Sequence, residues 1–289
     1  MAEILDGYYD PDKHYDYTYL SLGAGVQSSA LLLMLEKGLF GMDKYKVDVC
    51  FFADTQGEPY WVYDQLSKLK EQSSLPIKIV TAGNLGQQYI DGAVHKKHRF
   101  STLPIYTKDE ETDHRGIVKR ACTWDFKVLP QERAMRAFMG FKKGERIAGK
   151  KNVLSLMGIS WDEVRRIKPN KTPWIDNAFP LGDERITRAK CEQVLKEHGW
   201  NDGEPVRRSA CLYCPFRSDS AWLWLSQNEP EVFKEACEFD KAIRDQSKSG
   251  LRSKAYLHKS CTPLEKYDFT HGGQLEFNFT GCDEGHCGV

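Results

Sequence analysis

The chain has 289 residues, of which 40% are hydrophobic and 28% charged, and its formal net charge is zero. This is the composition of a folded globular protein and excludes a disordered one; the balanced charge also argues against a broad basic face that coats nucleic acid. No apolar run approaches the ~20 residues of a membrane helix, and the opening MAEILDGYYD lacks the basic-then-apolar order of a secretory signal, so the expectation is a cytoplasmic protein with no membrane partner.

Residues 17–22 (YTYLSL) are β-rich and apolar, and run into Gly23-Ala24-Gly25 and then the helical pattern ALLLMLEKG. Strand, glycine turn and helix open a βαβ unit. A second apolar strand is expected at 47–53, with a helix starting near Pro59, and a third strand at 77–81. Repeats of this length predict an α/β fold: a doubly wound parallel sheet, Rossmann-like, with right-handed crossovers. Residues 100–120 are polar, carry the acidic run 109–113 and show no period; they read as a long loop able to act as a lid. Helix returns at 130–141 and a fourth strand at 153–159. The stretch 168–185, with three prolines, reads as irregular. Residues 187–198 form a helix with Thr187 as N-cap and Gly199 as its stop. Helices are expected at 220–227 and 230–246, before a glycine-containing tail from Gly272. The domain reading is a nucleotide-binding part at 1–200 and a helical, cysteine-containing C-terminal part at 201–289.

Five stretches carry chemistry. In the first, Ser21, Gly23, Gly25, Gln27, Ser28 and Ser29 surround the start of the first helix. Glycines admit a phosphate to the backbone, and the helix N-terminus offers N–H groups and a positive dipole end; an ordinary tight βα turn has the same pattern. It is no Walker A loop, because no Gly-Lys-Ser/Thr follows. In the second, Asp54, Thr55 and Glu58 end strand two, the edge where open α/β sheets bind ligands; the carboxylates suit Mg²⁺, a ribose hydroxyl, or only a helix cap. The third is Arg120-Ala121-Cys122-Thr123 with Lys127, and the fourth Cys211-Leu212-Tyr213-Cys214-Pro215-Phe216.

Nine cysteines is a high and odd number, which points in a reducing compartment to metal binding or catalysis for some and plain burial for others. One C-x-x-C supplies two ligands, and a metal centre wants more. Cys122 is the third candidate, whereas Cys50, Cys191 and Cys237 sit in apolar elements as small hydrophobes. The fifth stretch is the tail with Cys282 and Cys287, which suits a nucleophilic thiolate or a fourth ligand. Basic clusters at 95–99, 142–151 and 165–171 read first as solvated faces.

In this order the motifs resemble the phosphoadenosine phosphosulfate (PAPS) reductase-like family of the PP-loop superfamily. Residues 23–28 resemble its Ser-Gly-Gly-x-Asp-Ser loop. Asp54, Thr55, Glu58 and Pro59 resemble its Asp-Thr-Gly-x-Glu-x-Pro strand end, one residue shorter. Gly158-Ile159-Ser160 with Glu163 and Arg166 is similar to its Gly-Ile-Arg-x-x-Glu-Ser-x-x-Arg stretch, and the second cysteine motif to its Cys-x-x-Cys-Pro-Phe form.

The resemblance implies an adenine nucleotide (ATP, adenylyl sulfate or PAPS) on Ser21, Gly23, Gly25, Gln27, Ser28, Ser29, Asp54, Thr55, Glu58, Gly158 and Arg166, with Mg²⁺ as a possible companion. It also implies a 4Fe–4S cluster, or zinc, on Cys122, Cys211 and Cys214, with Cys282 or Cys287 as a fourth ligand. Gln27 stands where ATP-splitting members carry an acid, and an amide repels a sulfate or phosphate less than a carboxylate does. Two activities follow from the resemblance. One is reduction of a sulfonucleotide, with Arg120 and Lys127 neutralising the anion, Cys287 attacking sulfur and a thioredoxin-like dithiol as partner. The alternative is ATP-dependent sulfur insertion into tRNA or DNA through an open iron. A non-catalytic nucleotide-binding module is the third reading.

Overall fold

A computed structural model describes residues 6–92, 103–200, 205–245 and 253–271; the basic cluster at 95–99 and the tail with Cys282 and Cys287 lie outside them. The chain divides into two compact units. One comprises Met1–Ala53, Tyr60–Val80 and Leu129–Ser209, the other Asp54–Pro59, Thr81–Val128 and Ala210–Val289.

The first unit is built on a five-stranded sheet. Its strands are β1 (Tyr17–Leu22), β2 (Val49–Asp54), β3 (Ile77–Thr81), β6 (Val153–Met157) and β7 (Ile175–Ala178), in the order β3-β2-β1-β6-β7, the last residue of β2 and of β3 belonging to the second unit. β1 pairs in parallel with both β2 and β6, and β6 in parallel with β7. Strands buried on both faces read as continuous apolar runs, which is why YTYLSL, VCFFAD and VLSLM were visible in the sequence. One face carries Tyr19, Val49, Phe51, Val153 and Ile175, packed with Trp174, Ile147 and Met135; Met135 comes from α4 (Leu129–Phe138). Leu20 and Leu22 alternate with Tyr19 and are buried on the other face, as the two-residue period of a strand requires.

Helix α1 (Val26–Lys37) is buried over its whole length from Ser28 to Leu35, a pattern that marks a helix covered all round rather than an amphipathic one. It packs on β1 and on α6 (Arg188–Glu197). Gly38 stops it in the left-handed conformation (φ 63°), its N–H reaching the carbonyls of Met34 and Leu35, a C-cap that glycine adopts without strain. Thr187 caps α6 by accepting from Lys190 N–H, and Gly199 follows its end at φ 65°. Helix α2 (Tyr60–Gln72) follows Pro59.

Two stretches depart from expectation. Residues 168–185 are not irregular throughout: they contain β7 and the short helix α5 (Pro180–Asp183). The sequence of β7, IDNA, hides a fully buried strand because its acid is paired, Asp176 accepting from Lys13 Nζ (2.7 Å) and from the Tyr15 hydroxyl (2.9 Å). Residues 103–120 are likewise not a structureless lid. In the second unit β4 (Tyr106–Lys108) pairs antiparallel with β5 (Arg115–Ile117) and with β8 (Lys254–Tyr256). The acidic run forms the connecting turn: Asp109 accepts from the N–H groups of Glu111 and Thr112, and Lys108 pairs with Asp113 at 2.7 Å.

The second unit also holds α3 (Leu85–Ile90), α7 (Asp219–Asn228) and α8 (Pro230–Ala242). Asp219, which opens α7, accepts from buried His258 Nε2 at 3.2 Å and from Lys259 Nζ at 3.1 Å. Burial holds His258 below the ordinary histidine value, against the pull of Asp219. For Asp219, burial alone would raise the carboxyl, but hydrogen bonds from His258 and Lys259 outweigh it and lower the value. Among the described residues no helix is long and apolar enough to cross a membrane.

Two predictions follow from this packing. Thr187→Ala removes the α6 cap and costs about 1 kcal/mol, readable as a lowered urea midpoint. Both His258 and Asp219 bind protons more weakly folded than unfolded, so acidification destabilises the fold. The loss begins below about pH 6.5 through His258 and continues below about pH 3.9 through Asp219. His258→Gln flattens the fall in melting temperature between neutral and mildly acidic pH; an unchanged slope would remove the assignment.

Candidate functional site

The candidate residues fall into both units. In the first unit the chain leaves β1 at Leu22 and enters α1 at Val26. The turn between is tied by one hydroxyl: Ser28 Oγ accepts from the N–H of Gly23 and of Gly25, each at 3.2 Å, and donates to the Gly25 carbonyl at 3.2 Å. The left-handed residue is Ala24 (φ 52°), not either glycine. Gly25 is needed for close approach, since a Cβ there would lie 2.4 Å from Ser209 Oγ, whereas a Cβ on Gly23 would meet only Ser28 Oγ at an ordinary 3.7 Å. Gly158, just after β6, lies flat against the first turn of α1. A Cβ there would stand 3.0 Å from both the Cα and the N of Ser28. Ser29 is buried under the helix, its Oγ accepting from Gln65 Nε2 at 3.4 Å. Ser21 is half-buried in β1, opposite Phe51 and Met157.

The first turn of α1 leaves backbone N–H groups without intrahelical acceptors, and side chains of a single network stand beside it. Gln27 Nε2 donates to Glu163 Oε2 at 3.0 Å, and Arg166 Nη1 donates to the same oxygen at 2.6 Å. On its other side Gln27 Oε1 accepts from Arg188 Nη1 at 3.1 Å. Arg188 is further braced by Glu192 through Nε (3.1 Å), and its own backbone N–H donates to Asp162. Glu163 and Arg166 lie in the 3₁₀ turn Trp161–Arg166 that follows β6, and Arg188 opens α6. The sequence singled out Gln27, Gly158 and Arg166. It gave no role to Arg188 or to the carboxylate joining Gln27 to Arg166, because no local spacing connects positions 27, 163 and 188.

In the second unit Asp54 Oδ1 accepts from Gln56 N–H at 2.8 Å, and the Thr55 hydroxyl donates to Glu58 Oε1 at 3.1 Å. The Glu58 side chain is 5% exposed and lies 4.0 Å from Lys127 Nζ. The Arg120 guanidinium donates to Thr123 Oγ1 and lies over the Phe216 ring, 5.9 Å from its centre. The C-x-x-C turn is shaped by packing. Its Tyr213 ring presses on two backbones, since a Cβ would come within 2.2 Å of that ring at Gly57 and 2.4 Å at Gly86. The Tyr213 ring centre also lies 4.3 Å from that of Phe239, the two rings tilted by 42°. Leu212 N–H donates to the Gly57 carbonyl at 2.8 Å, and buried Arg217 donates to the carbonyls of Ala210 and Cys211.

The expected metal centre is not assembled by these residues alone. Among the described residues no group of three or more His, Cys, Asp or Glu side chains is placed to hold a metal ion, so Cys122, Cys211 and Cys214 do not form one between them. Cys282 and Cys287 lie outside the described residues. Burial pushes the thiols of Cys50, Cys191 and Cys237 up to about 12, which keeps them protonated and unreactive near neutrality; Cys50 and Cys191 are buried as expected, whereas Cys237 is half-buried.

The fold and this site define an open, doubly wound α/β protein with a glycine turn at the helix N-terminus beside its central strand. No protein-family model matches the chain, and no curated protein matches it. Among solved structures it is similar to the crystal structure of phosphoadenylyl-sulfate (PAPS) reductase from Candida auris in its phosphate complex. The identity is 16% over 65% of this chain and 75% of that one, with a TM-score of 0.39. The α/β assignment rests on the strand order and parallel register above.

Gly158 and Gly23 are separable by substitution. Gly158→Ala forces a backbone shift against Ser28 and costs about 1–3 kcal/mol. Gly23→Ala has room and lies at an ordinary φ, so its melting temperature stays within a few degrees of wild type. Equal losses from the two in thermal melts would refute the close approach of Gly158 to Ser28.

Proposed function

We propose that the chain binds an adenine nucleotide at the N-terminus of α1 and acts as a sulfonucleotide reductase-like enzyme. The observation that carries the reading is the network beside the Gly23–Ser29 turn, where two guanidinium groups, Arg166 and Arg188, flank the uncharged Gln27. Guanidinium groups suit phosphate and sulfonate oxygens. An amide at position 27 adds no negative charge beside them. The motif order in the sequence supplies the adenine and sulfur parts of the reading.

In this reading the Cys287 thiolate attacks the sulfur of the adenylyl sulfate. An S–S bond forms, the S–O bond to the nucleotide phosphate breaks, and the nucleoside phosphate leaves. The resulting Cys287 thiosulfonate is reduced by a thioredoxin-like dithiol, which takes up Cys287 as a mixed disulfide with release of sulfite. The second thiol then closes the dithiol to its disulfide and returns Cys287 as a thiol. Arg120 and Lys127 are assigned to the transferred anion. No step is routed through an iron–sulfur cluster or zinc, because Cys122, Cys211 and Cys214 do not assemble a three-ligand group among the described residues.

The test is sulfite release from adenosine 5′-phosphosulfate and from PAPS with a reduced thioredoxin, together with iron and zinc analysis of protein purified without oxygen. We expect sulfite from wild type and none from Cys287→Ser. AMP formation from ATP that depends on added tRNA or DNA, in protein carrying a stoichiometric cluster, would replace this reading with sulfur insertion.

A further inference from the structure

Gln27 is not presented to a ligand as a lone amide; both of its ends are spoken for. Its nitrogen faces the Glu163 carboxylate at 3.0 Å and its oxygen faces the Arg188 guanidinium at 3.1 Å. The same carboxylate oxygen holds Arg166 at 2.6 Å. The side chains of Glu163, Arg166 and Arg188 are 15%, 15% and 12% exposed, so these contacts are largely shielded and gain strength from the lowered local dielectric.

From this geometry we infer that Glu163 is a positioning residue. By accepting from Gln27 and Arg166 at once it fixes both guanidinium groups about the start of α1, and the site takes its nucleotide as a metal-free anion. This rests on the nucleotide-binding reading above and specifies the charge state of the ligand.

The polarity of the network decides the point. A divalent cation at this turn needs an oxygen donor able to turn toward it. The Gln27 oxygen already faces a cation, and Glu163 Oε2, the oxygen that faces Gln27, already receives two N–H donors. A carboxylate at position 27 would lie within about hydrogen-bond distance of Glu163, and two like charges so close are unfavourable unless one is protonated. Glu163 therefore fixes residue 27 as an amide, and the amide leaves the ligand's charge to be met by arginine.

The experiment uses the full chain and three variants, Gln27→Glu, Glu163→Gln and the exchange Q27E/E163Q. AMP is titrated calorimetrically in magnesium chloride and in EDTA, and melting temperatures are recorded alongside. Wild type is expected to bind AMP at least as tightly in EDTA as in magnesium. Glu163→Gln is expected to weaken AMP about tenfold, the scale of one lost charge-assisted hydrogen bond, with a small change in melting temperature. Gln27→Glu lowers both binding and melting temperature. The exchange restores a donor–acceptor pair between 27 and 163 and so recovers melting temperature, but it sets a carboxylate at the helix start and does not recover binding. The inference is overturned if magnesium tightens wild-type AMP binding tenfold or more, if Glu163→Gln binds as wild type does, or if the exchange recovers affinity. Absence of AMP binding by folded wild type under both conditions is the distinct outcome that removes the nucleotide reading and this inference with it.

Discussion

The contact of Gly158 with the backbone of Ser28 is the constraint on which the first unit's site depends. β1 and β6 are neighbours in the sheet, yet the chain leaves β1 toward β2 on one side and leaves β6 toward β7 on the other. Loops that diverge in this way open a crevice at the carboxyl ends of the two strands, the switch point where doubly wound sheets bind ligands. Here the crevice floor has no side chain at position 158, and the α1 start sits directly on the loop after β6. That seating brings Gln27 within reach of Glu163, five residues further along the same loop. Any Cβ at 158 would lift the helix start and lengthen those hydrogen bonds together.

The relative sizes of the effects show what such a site relies on. A helix N-terminus contributes typically 0.3–1 kcal/mol toward an anion, whereas hydrogen bonds to charged groups contribute about 1.5–3 kcal/mol each. The guanidinium groups therefore outweigh the α1 dipole. Arginine side chains lose much rotational freedom on being held, and a network that holds them before the ligand arrives removes part of that cost from binding. Glu163 does this for Arg166, and Glu192 and Gln27 do it for Arg188. The two carboxylates also offset positive charge, so the network exchanges some raw attraction for fixed geometry.

β1, β2 and β6 of the parallel sheet were legible because they are largely buried and read as apolar runs with glycine or acid at their ends. β1 and β3 fall on their expected residues, and α6 carries the cap and stop that Thr187 and Gly199 announce. β7 was not legible: its acid, Asp176, is satisfied by Lys13 and Tyr15, from more than a hundred residues away, and no window along the chain displays that pairing. β4 and β5 were missed for a different reason, since three residues are too few to show alternation and their stability comes from β8. The site divides in the same way. Residues adjacent in sequence, such as Gly23, Gly25 and Ser28, announce a turn. Arg188 and Gly86 act only through partners that folding brings to them.

The C-x-x-C turn shows how a motif can be correct in position and yet have its shape set by something other than the expected chemistry. Small metal-dependent folds need the ion because they lack enough packing of their own. This turn has packing: Tyr213 lies against Gly57, Gly86 and Phe239, Leu212 bonds to the Gly57 carbonyl, and Arg217 donates to two carbonyls inside it. Burial of the Tyr213 ring also raises its phenol above the ordinary value, which keeps it neutral where it packs. Cys211 and Cys214 thus stand on a backbone whose course is fixed by an aromatic ring and an arginine.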